Sequence, residues 1–241
     1  KYITHTKRLK DVEEAWTQLW TRISPLGERI RGILFQTPPS FVYKEETLER
    51  VRQMAEYIPK DLRITFEFRD PSWFRSEVYD TFKDLGWAVA ATYIQKKDGT
   101  KWMGQMPGGL LMVPKTCDHY YLRIHGKRGF KGELSKTQLA SLRARLGQIR
   151  VSKVFVMFNN TFFDPRSKSC EIGDRSVRYA AVCNAVSFAS LAGPVRTRRR
   201  LVVRTTRSGT KTASGTKTAS GTKTATGAKT RSNTRTALSK K

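Results

Sequence analysis

Five short apolar runs punctuate the first 193 residues: 31–37 (RGILFQT), 62–68 (LRITFEF), 86–93 (GWAVAATY), 119–125 (HYYLRIH) and 153–159 (KVFVMFN). Their apolar character is nearly continuous rather than alternating, the pattern of strands covered on both faces. KYIT at 1–4 reads as the end of a sixth strand. Helical periodicity fills most of the intervals. Residues 11–23 open on Asp11 as cap and set Val12, Trp16 and Leu19 or Trp20 on one face. Further helices are expected over 45–58, stopped by Pro59, over 76–85, over 135–149 from a Ser135 cap, and over 176–192. One interval, 94–118, is rich in Gly, Pro and Lys and reads as a long loop with a short hairpin. Strand and helix alternating through short loops predict βα units on a parallel sheet, six strands and five helices in all.

The pattern stops at Gly193. Beyond it "RTRRRLVVRTTR" leads into a six-residue period over 208–237, whose basic residue recurs at Lys211, Lys217, Lys223, Lys229 and Arg235. Nothing there is large enough to bury, so 194–241 is expected to be a disordered tail, separate from a domain over 1–193. Charge sharpens that division. The chain carries +26, and the tail holds 14 of its 46 bases and no acid, which leaves +12 on residues 1–193. Cations spaced along a flexible segment of small hydroxyl residues suit loose contact with nucleic acid or another polyanion; a solubilising tail grown by repeat expansion is the plain alternative. "RTRRR" permits a nuclear address, and an intracellular location fits the cysteine usage.

Three widely spaced cysteines, Cys117, Cys170 and Cys183, lack a CxxC pair, so reduced thiols are expected rather than a structural zinc site or a disulfide framework. No apolar run approaches the ~20 residues of a membrane helix. The best stretch, Tyr179 to Val195, is broken by Asn184 and two serines.

Candidate chemistry sits where the strands end. Arg123 and His125 are two residues apart and project to one face of a strand, and Gly126 then frees the backbone to turn. The other runs end alike: Thr4-His5, Gln36, Glu67-Phe68-Arg69 and Asn159-Asn160. In a parallel sheet curled into a barrel the carboxyl ends form the functional face. Lys1, His5, Gln36, Glu67, Arg69, Arg123, His125 and Asn159 would then share one rim. Any single one of them is as well explained by a loop-anchoring ion pair; convergence from several strands is what points to a pocket.

These residues carry a resemblance. "KYITHTKRL" (1–9), "LGERIRGILFQTPPSF" (26–41), "FEFRDPSWF" (66–74), "YYLRIHG" (120–126), "FNNT" (158–161) and "NA" (184–185) resemble, in order, the family called domain of unknown function 72, or YecE-like. The resemblance implies a (β/α)₈ TIM-type barrel, incomplete here at about six βα units, with its first strands upstream of Lys1. It also implies that the eight rim residues match motif positions. Three features depart from the pattern: a longer basic 94–118 loop, an insertion from Phe162 to Arg175, and the basic tail.

Two classes of function follow. In the first, a hydrolase or related enzyme acts on a phosphorylated or nucleic-acid substrate. Arg123, Arg69 and Lys1 hold the anion, Glu67 or His125 serves as general acid or base, and Asn159 and Gln36 orient the substrate. A metal set of His5, Glu67 and His125 is disfavoured by Lys1, Arg69 and Arg123 beside it, so no cofactor is expected. GxSxG, P-loop and dinucleotide signatures are missing. In the second, a non-catalytic nucleic-acid-binding protein uses the basic domain and tail, with Trp73, Trp102 and Phe130 stacking on bases. Oligomeric state is not legible in the sequence.

Overall fold

The computed structural model describes residues 1–94, 110–126, 132–160, 169–177 and 179–191. The expectations for the 194–241 tail, for Trp102 and Phe130, and for most of the 94–118 loop lie outside the described residues. In chain order the elements are α1 (Glu13–Ile23), β1 (Ile33–Gln36), α2 (Glu45–Gln53), β2 (Ile64–Glu67), α3 (Ser76–Asp84), β3 (Ala88–Val89), β4 (Ala91–Ile94), β5 (Leu110–Leu111), β6 (His119–Gly126), α4 (Lys136–Gly147), β7 (Lys153–Phe158), β8 (Cys170–Ile172), β9 (Arg175–Val177) and α5 (Ala180–Leu191).

The apolar runs pair in sequence order. β1 lies parallel to β2, with Gln36 opposite Glu67, and β2 lies parallel to β3. β4 lies parallel to β6, and β6 to β7. β3 and β4 flank Ala90, whose N–H donates to the Phe66 carbonyl at 2.8 Å, so one stretch of chain serves both parallel sheets. β5 returns antiparallel on β4, pairing Leu110 and Leu111 with Tyr93 and Thr92, so its partner is the strand before the 94–118 loop and not a second strand within it. The mixed α/β class is therefore as expected. A closed barrel is not seen: among the described residues no strand pairs with the outer edge of β1 or of β7.

Period-two alternation sorts each strand into two faces. From β2 onward, Phe66 and Phe68 turn toward the helices and build an aromatic layer. Phe66 stacks on Phe35 and Trp87 with ring centroids at 5.2 and 5.8 Å, and Phe68 lies on Trp73 at 4.1 Å. Trp73 is fully buried and its indole N–H donates to the Phe41 carbonyl at 2.7 Å, so it is a core residue and not a platform for bases. Thr65, Glu67 and Arg69 take the opposite face.

Local chemistry explains some of the helix bounds and not others. Ser135 caps α4 as expected: its Oγ accepts from Gln138 N–H at 3.2 Å, and Gln138 Oε1 accepts from Ser135 N–H at 2.9 Å. Asp11 does not cap α1; it holds a left-handed φ of 48° and Val12 stands at the helix start without a side-chain bond. KYIT is no strand end either. Tyr2–Thr6 form one π-helical turn, with Lys7 N–H donating to the Tyr2 carbonyl at 2.9 Å. The last helix begins at Ala180 rather than 176, because β8 and β9 form a hairpin turning at Gly173, φ 57°. A disulfide joins Cys170 to Cys183, Cα atoms 5.5 Å apart, and ties that hairpin to α5. Reduced thiols were expected at all three cysteines; only Cys117 is free.

Candidate functional site

On the face of β2 opposite the aromatic layer, Glu67 is fully buried, 0% exposed. Its carboxylate is held from three sides. Arg69 Nη2 lies 2.5 Å from Oε1, Arg123 Nη1 donates to Oε2, and His125 Nε2 stands 3.4 Å from Oε1. The arginine side chains are 8% and 13% exposed, so both guanidiniums are largely withdrawn from water. Gln36, across the β1–β2 ladder, accepts from both: Arg123 at 2.9 Å and Arg69 at 3.3 Å. Beyond β7, Asn159 N–H donates to the Ile124 carbonyl at 2.7 Å, which sets its side-chain amide 3.2 Å from His125 Nδ1. With Asn159 donating to Nδ1, the imidazole turns its Nε2–H to Glu67. Gly126 ends β6 at φ 99°, a backbone state that glycine adopts freely.

Burial alone would raise the Glu67 carboxyl. The His125 hydrogen bond and the charges of Arg69 and Arg123 outweigh it and hold the group below the usual carboxylate range. Burial, followed by the neighbouring guanidiniums, keeps His125 below the ordinary histidine value despite Glu67. Arg69 is lowered too, burial first and Arg123 adding to it, against the pull of Glu67. The cluster therefore sits as a carboxylate between two cations with a neutral imidazole.

A cavity of about 580 Å³ runs along β1 between the Tyr2–Thr6 turn and α1. Lys1, His5 and Gln36 line it, so Gln36 is shared by the cavity and the buried cluster. Burial, then the charges at Lys1 and Arg69, lower the His5 imidazole, and Thr4 Oγ1 lies 2.9 Å from its Nδ1. All eight rim residues thus lie at the cluster or on this cavity, although Lys1 and His5 come from a helical turn. Sequence reasoning missed Gln18 and Arg22, which reach the cavity from α1 one helical turn apart; their i, i+4 spacing on the polar side of an amphipathic helix was the available signal. It also missed the backing of the site. Asn160, fully buried, donates to the Gly132 carbonyl at 2.9 Å and to Asn184 Oδ1 at 3.2 Å. Asn184 in turn brackets Leu134, accepting from its N–H at 2.9 Å and donating to its carbonyl at 3.0 Å.

The family model described as "Protein of unknown function DUF72" matches residues 1–169. The chain belongs to the DUF72 family. A DUF72 protein from Thermotoga maritima aligns in structure with TM-score 0.61 and 25% identity, over 79% of this chain and 70% of the other. Two structures of a DUF72 protein from Enterococcus faecalis align at 17% and 18% identity with TM-scores 0.55 and 0.56, over 76% and 75% of this chain and 66% and 68% of theirs. No curated protein matches the chain. Among the described residues of this DUF72 chain, no helix is long and apolar enough to cross a membrane.

Proposed function

We propose that this DUF72 chain binds a phosphorylated substrate in the β1 cavity and hydrolyses it there. One observation carries the reading: two arginines fixed by a single buried carboxylate both donate to Gln36, which lines a 580 Å³ cavity together with Lys1 and Arg22. Arg69 and Arg123 share one carboxylate behind Gln36 while Lys1 and Arg22 stand on the cavity, and the surplus of cations calls for an anion; held guanidinium forks lose little freedom on gripping a phosphate. Glu67 is sealed from solvent, so in this reading it positions Arg69 and Arg123 and is not itself the base. His125 and Asn159 lock that carboxylate from the far side. His5, neutral and on the cavity wall, takes the proton from water. The parallel run reads as part of an eight-stranded (β/α) barrel with this site at its carboxyl end, a reading supported by strands that pair in sequence order and turn polar residues to one face.

The test is calorimetric titration with inorganic phosphate at low salt, followed by release of phosphate from a panel of phosphate esters. Arg123→Lys is expected to weaken phosphate binding about 10-fold or more, one strong charge-assisted contact's worth, and His5→Ala to lower kcat with KM nearly unchanged. Phosphate that does not bind, or binds both variants like the parent, sinks the reading. The second reading, a non-catalytic nucleic-acid binder, rests on the net charge of +26. It expects steep salt dependence that shrinks when 194–241 is deleted and is indifferent to Arg123.

A further inference from the structure

At the opposite end of β6 the chain bends at Cys117 and Asp118 before the strand begins at His119. The bend breaks the alternation that would send neighbouring side chains to opposite faces. Three consecutive side chains therefore turn together. Cys117 Sγ lies 3.2 Å from His119 Nδ1, Asp118 Oδ1 lies 3.3 Å from the same nitrogen, and the three donor atoms fall within 4.8 Å of one another. Sulfur, nitrogen and oxygen donors around one tetrahedral zinc ion, at bond lengths of about 2.3, 2.0 and 2.1 Å, stand roughly 3.4–3.6 Å apart. The two spacings to Nδ1 come within a few tenths of an ångström of that, and the sulfur and oxygen lie within 4.8 Å of each other.

The surroundings hold each donor in place. His119 is buried at 2% exposure, its Nε2 lies 3.1 Å from Thr65 Oγ1, and Phe155 packs edge-on against the ring at 6.0 Å between centroids. That engages Nε2 and leaves Nδ1 facing the thiol and the carboxylate. Asp118 spends its other oxygen elsewhere: Oδ2 accepts from Ser152 Oγ at 3.0 Å and lies 3.9 Å from Arg63 Nη2, so Oδ1 is the oxygen turned to the imidazole. Partners that orient ligands from behind are a regular feature of metal sites. The Asp118 side chain is 60% exposed, which leaves water free to complete the coordination.

We propose that Cys117, Asp118 and His119 bind a divalent ion of the zinc type, with water as the remaining ligand. A thiolate, an imidazole and a carboxylate together suit borderline ions over magnesium or calcium, which take oxygen alone. On binding, the Cys117 thiol releases its proton to solvent and ligates as the thiolate. The ion would clasp the start of β6 to β2 through Thr65 and to the β7 approach through Ser152. It stands on the geometry of this end alone and does not depend on the phosphate reading of the other.

Cobalt(II) titration of the full chain tests it. The chain has three cysteines, of which two form the disulfide, so a thiolate-to-cobalt charge-transfer band reports Cys117. Expected are one ion per chain by elemental analysis, that band, its displacement by zinc, and a higher melting temperature with zinc but not with magnesium. Cys117→Ser should delete the band. Asp118→Asn alters an exposed side chain and so preserves the fold; it should weaken cobalt binding about 10-fold or more. An octahedral spectrum without charge transfer, a band that survives in Cys117→Ser, or parental affinity in Asp118→Asn overturns the site.

Discussion

The two ends of the parallel strands hold nearly the same chemical inventory. Toward the carboxyl end Glu67 meets Arg69, Arg123 and His125; toward the amino end Asp118 meets Arg63 and His119. What separates them is water. Glu67 is wholly buried, whereas the Asp118 side chain is 60% exposed. A carboxylate without solvent must be matched by fixed cations, and once matched it is committed to them. A carboxylate in solvent has weak ties to its partners and remains available to another ligand. The first arrangement builds a rigid platform for binding beside it, the second a site for binding at it.

The sharpest way to break this contrast is to neutralise each carboxylate. Glu67→Gln leaves two guanidiniums buried without their counter-charge and is expected to cost about 3–5 kcal/mol in urea unfolding. A Glu67→Gln protein that unfolds with the parent would put the carboxylate in water after all.

Acid should act on both ends, by a smaller amount at first. His119 and His125 both have folded-state values below 6.5, so in the unfolded chain they take up protons that the folded one refuses. Their contribution is complete above about pH 6.5 and is lost as pH falls through the depressed folded values. Glu67 is also depressed, so its contribution holds above 4.5 and goes only as pH drops through its lower folded value. Unfolding followed against pH should therefore show a histidine phase before a carboxylate phase. His119→Gln should remove part of the first and leave the second, whereas His125→Gln should remove part of the first and move the second to higher pH, because its hydrogen bond helps hold Glu67 down; a first phase untouched by either variant would detach it from these imidazoles.

The smallest effect belongs to Asp118→Asn in metal-free protein, at most ~1 kcal/mol, the range of exposed ion pairs. A larger loss would erase the distinction between the two ends.

Much of the carboxyl-end cluster was legible because period-two alternation is a strong constraint. Once 62–68 and 119–125 are strands, Glu67 cannot avoid sharing a face with Arg69, nor Arg123 with His125. Strand order followed from short βα loops. Other features had no local signature. KYIT has the β-rich composition of a strand end, yet among the described residues no strand pairs with it and it closes into a π-helical turn. Arg22 reaches the cavity because of how α1 packs, which its own periodicity leaves open on the polar side. Trp73 looked like an exposed aromatic near bases, but the stacked Phe68 and the Phe41 carbonyl claim it. The cysteines were set aside on spacing: a separation of 13 says nothing of the 5.5 Å between their Cα atoms, and Cys117-Asp118-His119 has no interval for a ligand motif to show.

The Cys170–Cys183 link closes a loop that contains the exposed Gly173–Asp174 turn. A protease that nicks the chain there leaves both pieces attached through sulfur. On a denaturing gel the cut protein should run as one band until a thiol reagent is added, and then as two.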